Sequence, residues 1–221
     1  MNFLGHCLIG LSSIISANVV AAQVSVNVLS NTEQPLADIV VYLLPLEQQV
    51  LVQNKTPLII SQQGQAFAPY ISVGQKGADI EFRNDDPITH HIYSITKGNK
   101  FNLIVKSNEH VMHKLAADGE DESAIIMGCN VHDWMGGVYL SVNTPYYAKT
   151  DKAGVASFNV DVLGKYAVTA WHPQIQDANN RLVTQLDVAD DNASVSLKLT
   201  KKMAEIPSQS NEGGFDYLSS N

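Results

Sequence analysis

Three side chains that bind transition metals lie close together in the second half of the chain. Cys129, His132 and Met135 follow the spacing C-x2-H-x2-M and bring together a thiol, an imidazole and a thioether. These groups carry the sulfur and nitrogen lone pairs that soft and borderline transition metals prefer. Gly136 and Gly137 come next and lead into an apolar run, which predicts a glycine turn entering a strand. The three groups are therefore expected on a tight loop between two strands.

A second imidazole must come from a distant part of the chain if this loop is to form a type 1 copper site. Such sites use two imidazoles and one thiolate in a trigonal plane, with a weak and long axial thioether. His90 is the candidate, because it follows the turn at 84–87 and begins an alternating apolar segment. His91 would point to the opposite face of the same strand, so only one of the two can face the metal.

The donor set favours copper over zinc. Zinc also binds cysteine and histidine, but methionine is a poor zinc ligand, and a structural zinc site needs a fourth strong donor. The sequence predicts one copper ion held by His90, Cys129, His132 and Met135, rather than a purely structural role for these residues. A second pair of histidines, 110 and 113, is a weaker candidate site and is expected as exposed loop residues.

Residues 1–22 predict a secretory signal peptide that is cleaved after Ala22. The segment has no Asp, Glu, Lys or Arg, contains apolar runs, and ends in small residues. It lacks the usual basic residue near its start. Ser, Gly and Asn interrupt its apolar runs, which argues against a membrane-spanning segment. We therefore predict a periplasmic or secreted protein.

Export changes the interpretation of the two cysteines. Cleavage would remove Cys7 and leave Cys129 as the one cysteine of the mature chain. An unpaired thiol in an oxidising compartment is buried and inert, forms an intermolecular disulfide, or binds a metal. The neighbouring His132 and Met135 favour the metal thiolate.

Composition limits the partners. The formal net charge of −8 argues against binding to nucleic acid or to an anionic membrane, because neither would attract the chain. After signal cleavage no membrane association is expected.

Short alternating apolar segments separated by Gly, Pro, Asn and Asp predict strands along the whole chain. No internal repeat or amphipathic helix is evident, so the predicted fold class is all-β. The predicted strands lie at 23–29, 39–44, 58–60, 65–73, 78–84, 88–95, 101–105, 124–127, 138–142, 144–150, 155–160, 166–171, 182–188 and 193–199.

Two segments carry a resemblance to a known family. The runs NDDPITHHIYS (84–94) and GCNVHDWM (128–135) resemble the plastocyanin-like cupredoxins, in particular the exported group labelled methylamine utilisation proteins. The ligand loop is similar to the short loop of amicyanin. The resemblance covers about residues 58–143 and implies a Greek-key β-sandwich. It also implies that His90, Cys129 and His132 are copper ligands and Met135 the axial ligand. His91 stands where the family usually has Asn, whose side chain is thought to tie the ligand strand to the cysteine loop.

The segments before and after residues 58–143 resemble parts of a transthyretin-like, carboxypeptidase-regulatory-type β-sandwich. We therefore predict that the cupredoxin domain, 58–143, is inserted between two parts of a second domain, 23–57 and 144–200. Residues 201–221 are polar and rich in Ser, Asn and Gly, and are predicted to be a disordered tail.

These features predict an electron carrier with transient redox partners, and not an enzyme. The alternatives are a copper chaperone or storage protein, and a metal-free β-sandwich that binds other proteins. Trp134 lies between two predicted ligands and is interpreted as loop packing or as an apolar docking face. His172, in the run Trp171-His172-Pro173, is not placed at the metal.

Overall fold

The computed structural model describes residues 21–47, 50–53, 56–115 and 122–210. Its strands, together with one short 3-10 helix at Ala178–Asn180, confirm the prediction of an all-β fold. No helix in the described ranges is long and apolar enough to span a bilayer. Residues 1–20 of the predicted signal peptide and 211–221 of the predicted tail lie outside those ranges.

The described strands follow one another in short segments. In chain order they are β1 Ala22–Leu29, β2 Val40–Pro45, β3 Leu58–Gln62, β4 Phe67–Ala68, β5 Ile71–Gln75, β6 Asp79–Asn84, β7 His90–Ser94, β8 Phe101–Val105, β9 His110–Lys114, β10 Ser123–Cys129, β11 Gly136–Val142, β12 Tyr147–Lys149, β13 Val155–Val160, β14 Gly164–Trp171, β15 Arg181–Val188 and β16 Asn192–Lys198.

Strands from the two ends of the chain form two of the four sheets. One sheet has the order β13-β1-β16 and the other β12-β2-β14-β15. β1 alternates buried valines with more exposed polar residues, and its buried side chains pack against those of β2 and β14. We name this two-sheet unit the outer sandwich, and the insertion of one domain into another stays a prediction. The transthyretin-like character of the outer sandwich also stays a prediction.

The middle of the chain forms the other two sheets. Their orders are β4-β3-β6-β9 and β5-β11-β10-β7-β8. Inward-facing residues from both sheets build one core, which includes Phe82, Ile92, Met127, Cys129 and Met135. We name this unit, formed by β3 to β11, the inner sandwich. Its core ends at the predicted metal ligands.

A third apolar cluster joins the two sandwiches. The outer face of β5 and β11 packs against β2 and β14, so that Leu140 and Val138 lie in one cluster with Tyr42 and Trp171. Leu140 and Tyr42 are each 1% exposed. Burial on this scale means that the five-stranded sheet carries packed side chains on both of its faces along β11.

One strand was not predicted. His110–Lys114 forms β9, which pairs antiparallel with β6, so the expectation of loop histidines in this segment is wrong. The segment is a sheet edge with one exposed face and contains His and Lys, which explains its weak apolar signal. His110 is exposed, whereas His113 is partly buried with its ring 4.8 Å from that of Phe101. The two imidazoles lie on opposite faces of the strand, as their odd spacing requires, and do not form a pair.

Candidate metal centre

Two neighbouring strands bring the distant parts of the site together. His90 begins β7 and Cys129 ends β10, and these strands pair antiparallel with Cys129 opposite Ile92. Both ligand side chains point inward, since residues 90 and 92 share a strand face with period two. The hydrogen-bonded sheet therefore holds the imidazole and the thiol together although 39 residues separate them.

Three predicted ligands converge at this end of the inner sandwich. The Cys129 Sγ atom lies 3.7 Å from Nδ1 of His90 and 4.0 Å from Nδ1 of His132. The ligand atoms of all three residues lie within 4.8 Å of one another. His90, Cys129 and His132 are 0%, 5% and 8% exposed. Cys129 is a free thiol, so its sulfur is available for coordination.

A tight turn links His132 to Met135. The Met135 amide donates a hydrogen bond of 3.0 Å to the His132 carbonyl, which closes the loop after the second histidine. Met135 is 1% exposed and belongs to the same core cluster as Cys129. Its thioether is therefore buried in the unit that contains the three converging ligands.

Trp134 packs on the second histidine. The ring centroids of Trp134 and His132 are 5.1 Å apart at an interplanar angle of 53°. The ring of His132 also lies near that of His90, with centroids 5.2 Å apart. Burial lowers the pKa of His132 and the neighbouring His90 lowers it further, while Asp86 opposes this shift. The lowered pKa favours the neutral imidazole, which is the form that can bind a metal.

Main-chain hydrogen bonds tie the cysteine loop to the strand of His90. The Asn130 amide donates to the His91 carbonyl over 2.9 Å, and the Val131 amide lies 3.4 Å from the Cys129 sulfur, to which it donates. Because the first bond uses the backbone of residue 91, it does not depend on the side chain there. The backbone hydrogen bond between Asn130 and residue 91 is therefore present although residue 91 is His and not Asn.

The sequence interpretation missed one contact of the site. The Asp86 carboxylate lies 2.9 Å from Nε2 of His90, opposite to the nitrogen that faces Cys129. Asp86 was interpreted only as part of the turn before β7. Its spacing of four residues from His90, across a proline, is the signal that would have found it.

His172 does not belong to the cluster of His90, Cys129 and His132. It is 2% exposed, and its Nδ1 accepts a hydrogen bond from the Gln174 amide. Burial lowers its pKa to about 4; Asp38 opposes this shift and Lys149 adds to it.

A pH dependence of stability follows from His172. The unfolded chain protonates this histidine near pH 6.5, whereas the folded chain resists protonation until about pH 4. The free energy of unfolding should therefore fall by up to about 3 kcal/mol as the pH drops from 6.5 to 4. In the variant His172→Asn that part of the decrease should be absent in urea unfolding measured across this pH range. The exposed His110→Asn is the control, and an equal flattening in both variants would contradict the assignment.

No family model matches the sequence, and no curated protein sequence matches it either. Solved structures match part of the chain. A copper-containing nitrite reductase from Thermus scotoductus SA-01 shows 16% identity over 44% of this chain and 25% of its own, with a TM-score of 0.35.

Two smaller proteins also match. A purple cupredoxin from Nitrosopumilus maritimus shows 21% identity over 38% of this chain and 98% of its own, with a TM-score of 0.32. Amicyanin from Paracoccus versutus shows 10% identity over 45% of this chain and 97% of its own, with a TM-score of 0.33. This chain thus spans a quarter of the nitrite reductase and nearly all of the two smaller proteins. At these TM-scores the similarity alone assigns neither family nor function.

Proposed function

We propose that the inner sandwich binds one copper ion and carries single electrons between redox proteins. The observation that carries this proposal is the buried free thiol of Cys129, which faces one nitrogen from each of two buried imidazoles, His90 and His132. Thiolate and imidazole are the ligands of type 1 copper, and the buried thioether of Met135 would be the weak axial donor.

The donor set fits copper better than other metals. It contains one thiolate, two imidazoles and a thioether, and no carboxylate lies within the three-residue cluster. A hard cation such as Mg²⁺ would find no oxygen ligand in that cluster. Zinc would lack a fourth strong donor, since a thioether binds it poorly.

The surrounding sheet suits electron transfer because it restricts movement of the ligands. Copper, when bound, supplies a one-electron couple between Cu(I) and Cu(II). His90 and Cys129 are fixed by adjacent strands, and the His132 loop is closed by its hydrogen bond from Met135. Ligands that cannot rearrange favour neither oxidation state strongly, so little reorganisation accompanies each electron. His132 is the most exposed of the three converging ligands and is the proposed edge for electron entry and exit.

The physiological setting is also a proposal. We infer a periplasmic or secreted location from the signal-like N-terminus, and weak, transient contacts with redox partners, as electron-transfer encounters require. A role in methylamine utilisation rests on the sequence resemblance to that group. The proposed role is that of an electron carrier and not of a catalyst.

Reconstitution with copper tests the proposal directly. Purified chain that has been mixed with Cu(II) should develop an intense visible absorption from thiolate-to-copper charge transfer, with the small copper hyperfine splitting of a type 1 site in its electron paramagnetic resonance spectrum. A colourless product with unchanged spectra would refute electron transfer through this site. Rapid loss of copper to a chelator, with slow electron exchange, would instead indicate a copper chaperone or store. A Cys129 thiol that still reacts with thiol reagents after copper is offered would indicate a metal-free binding module.

Replacement of the thioether tests the axial assignment. The variant Met135→Leu should keep the colour but have a higher reduction potential, because the donor that favours Cu(II) is lost while the buried volume is nearly preserved. The potential would be measured by redox titration of the visible band. A lower potential would contradict the assignment of Met135 as the axial ligand.

A further inference from the structure

The buried carboxylate of Asp86 contacts the edge of the His90 ring that faces away from Cys129. Oδ2 of Asp86 lies 2.9 Å from Nε2 of His90, and the two residues are 6% and 0% exposed. The other ring nitrogen, Nδ1, faces the Cys129 sulfur at 3.7 Å. The imidazole of His90 therefore lies between the carboxylate and the thiol.

Asp86 is itself fixed by hydrogen bonds from both of its sides. Its carboxylate accepts from the amides of Gly64, at 2.6 Å, and Gln65, at 2.8 Å. Its own amide donates to the Asn84 side chain over 2.9 Å, and its carbonyl accepts from the Ser107 hydroxyl over 2.9 Å. These four bonds leave the carboxylate little freedom to turn away from His90.

The turn that supplies the two amides adopts a backbone conformation that is unfavourable for one of its residues. Gly64 and Gln65 have φ values of 64° and 60°, in the left-handed region that glycine tolerates and glutamine does not favour. This conformation aims both amides at the same carboxylate. Residues are held in such conformations where the surrounding structure requires them, and functional sites are a common place for this.

The hydrogen bonds determine which nitrogen of His90 carries the proton. The Asp86 carboxylate accepts hydrogen bonds from the backbone amides of Gly64 and Gln65, and such bonds favour its ionised form. An ionised carboxylate only accepts hydrogen bonds, so Nε2 must donate. In the neutral imidazole the lone pair of Nδ1 then points toward Cys129.

We propose that Asp86 is a positioning residue that selects the Nε2-protonated form of His90 and strengthens its Nδ1 as a donor to copper. A carboxylate that accepts the remote N–H of a ligating histidine orients the ring and raises its basicity. A stronger donor stabilises Cu(II) more than Cu(I), because the higher charge gains more from it. Asp86 should therefore lower the reduction potential. This inference rests on the proposed copper site.

The second histidine has no equivalent support. Among the described residues, the ring of His132 contacts Cys129, His90 and Trp134, and no carboxylate hydrogen-bonds to it. The two imidazoles thus differ in their surroundings: one is backed by an anion and the other by an aromatic ring. The hydrogen bond of Asp86 should act on the bond made by His90, whereas at His132 Asp86 acts through its charge.

Two neighbouring aspartates allow a matched test. Asp86→Asn removes a negative charge and the strong acceptor of His90, whereas Asp85→Asn removes the same charge from a neighbouring exposed position. Both copper-loaded variants should keep the visible band. Asp86→Asn should have a higher potential than Asp85→Asn, and its Cu(II) affinity should fall by about ten- to a hundredfold, the usual effect of losing such a partner. Equal potentials and affinities in the two variants would overturn the proposal.

A measurement on the unaltered chain covers the case in which Asp86→Asn does not fold. In the diamagnetic Cu(I) protein labelled with ¹⁵N-histidine, nuclear magnetic resonance should show a slowly exchanging proton on Nε2 of His90. A fast-exchanging proton, or one on Nδ1, would overturn the proposal. A wild-type chain without the visible band would instead refute the copper site itself, so the two failures are distinguishable.

Discussion

The variant Cys129→Ser is expected to lose the intense visible absorption of the copper-loaded chain completely. The band is a charge transfer from a thiolate, and a serine hydroxyl keeps its proton at neutral pH and cannot replace it. Cys129 is the free thiol of the described chain and lies between the two imidazoles. No other described side chain can take over its role. Visible and electron paramagnetic resonance spectra, with bound copper measured separately, would check this.

A buried thioether nearby provides the control for this experiment. Met127 lies on the same strand two residues before Cys129 and is 2% exposed in the same core. Met127→Leu removes a sulfur atom with little change in volume, and should cost less than about 1.5 kcal/mol of stability and keep the colour. His90→Ala should lose the band as Cys129→Ser does. A coloured Cys129→Ser protein would show that the copper binds elsewhere.

The variant Trp171→Ala should lower the free energy of unfolding by about 3–5 kcal/mol and leave the visible band unchanged. Trp171 is 6% exposed and packs in the cluster that joins the two sandwiches, where its loss leaves a cavity beside Leu140. None of the proposed copper ligands belongs to this cluster. Urea unfolding, followed by far-ultraviolet circular dichroism and by the copper band, would measure both quantities.

The other tryptophan of the chain is the matched control. Trp134 is partly exposed and packs on His132, so Trp134→Ala should change the surroundings of the site and cost less stability than Trp171→Ala. If Trp171→Ala altered the colour while its stability stayed the same, the cluster would not have the joining role that its packing indicates.

The sequence predicted the site best where the types of the residues and their spacing indicate the same structure. The spacing of Cys129, His132 and Met135 before a glycine turn located the loop, and the alternation after the 84–87 turn located His90 on a strand. The structure brings His90, Cys129 and His132 together as predicted. Their role as copper ligands stays a prediction, as does that of Met135.

The hydrogen bonds around the site could not be predicted from the sequence, because most of them join segments that lie far apart along the chain. The bond from Asp86 to His90 is local and could have been found, but the two amides that hold Asp86 come from a turn more than twenty residues earlier. Likewise, the main-chain bond from Asn130 to His91 joins the two segments through backbone atoms. A pattern of side chains carries no information about such backbone bonds.

The parallel pairing of β1 with β16 also predicts that the inner sandwich folds before the outer sandwich. Gln23 lies opposite Asn192 in this ladder, so the outer sandwich cannot close until almost the whole described chain has been made, whereas the strands of the inner sandwich end at Val142. Contacts between such distant residues form late, because closing a long loop costs entropy before any contact is gained. Pulse-labelling hydrogen exchange during refolding should protect β7 and β10 before β1. The inner sandwich, with its proposed metal site, would then form while the strands of the outer sandwich are still unpaired.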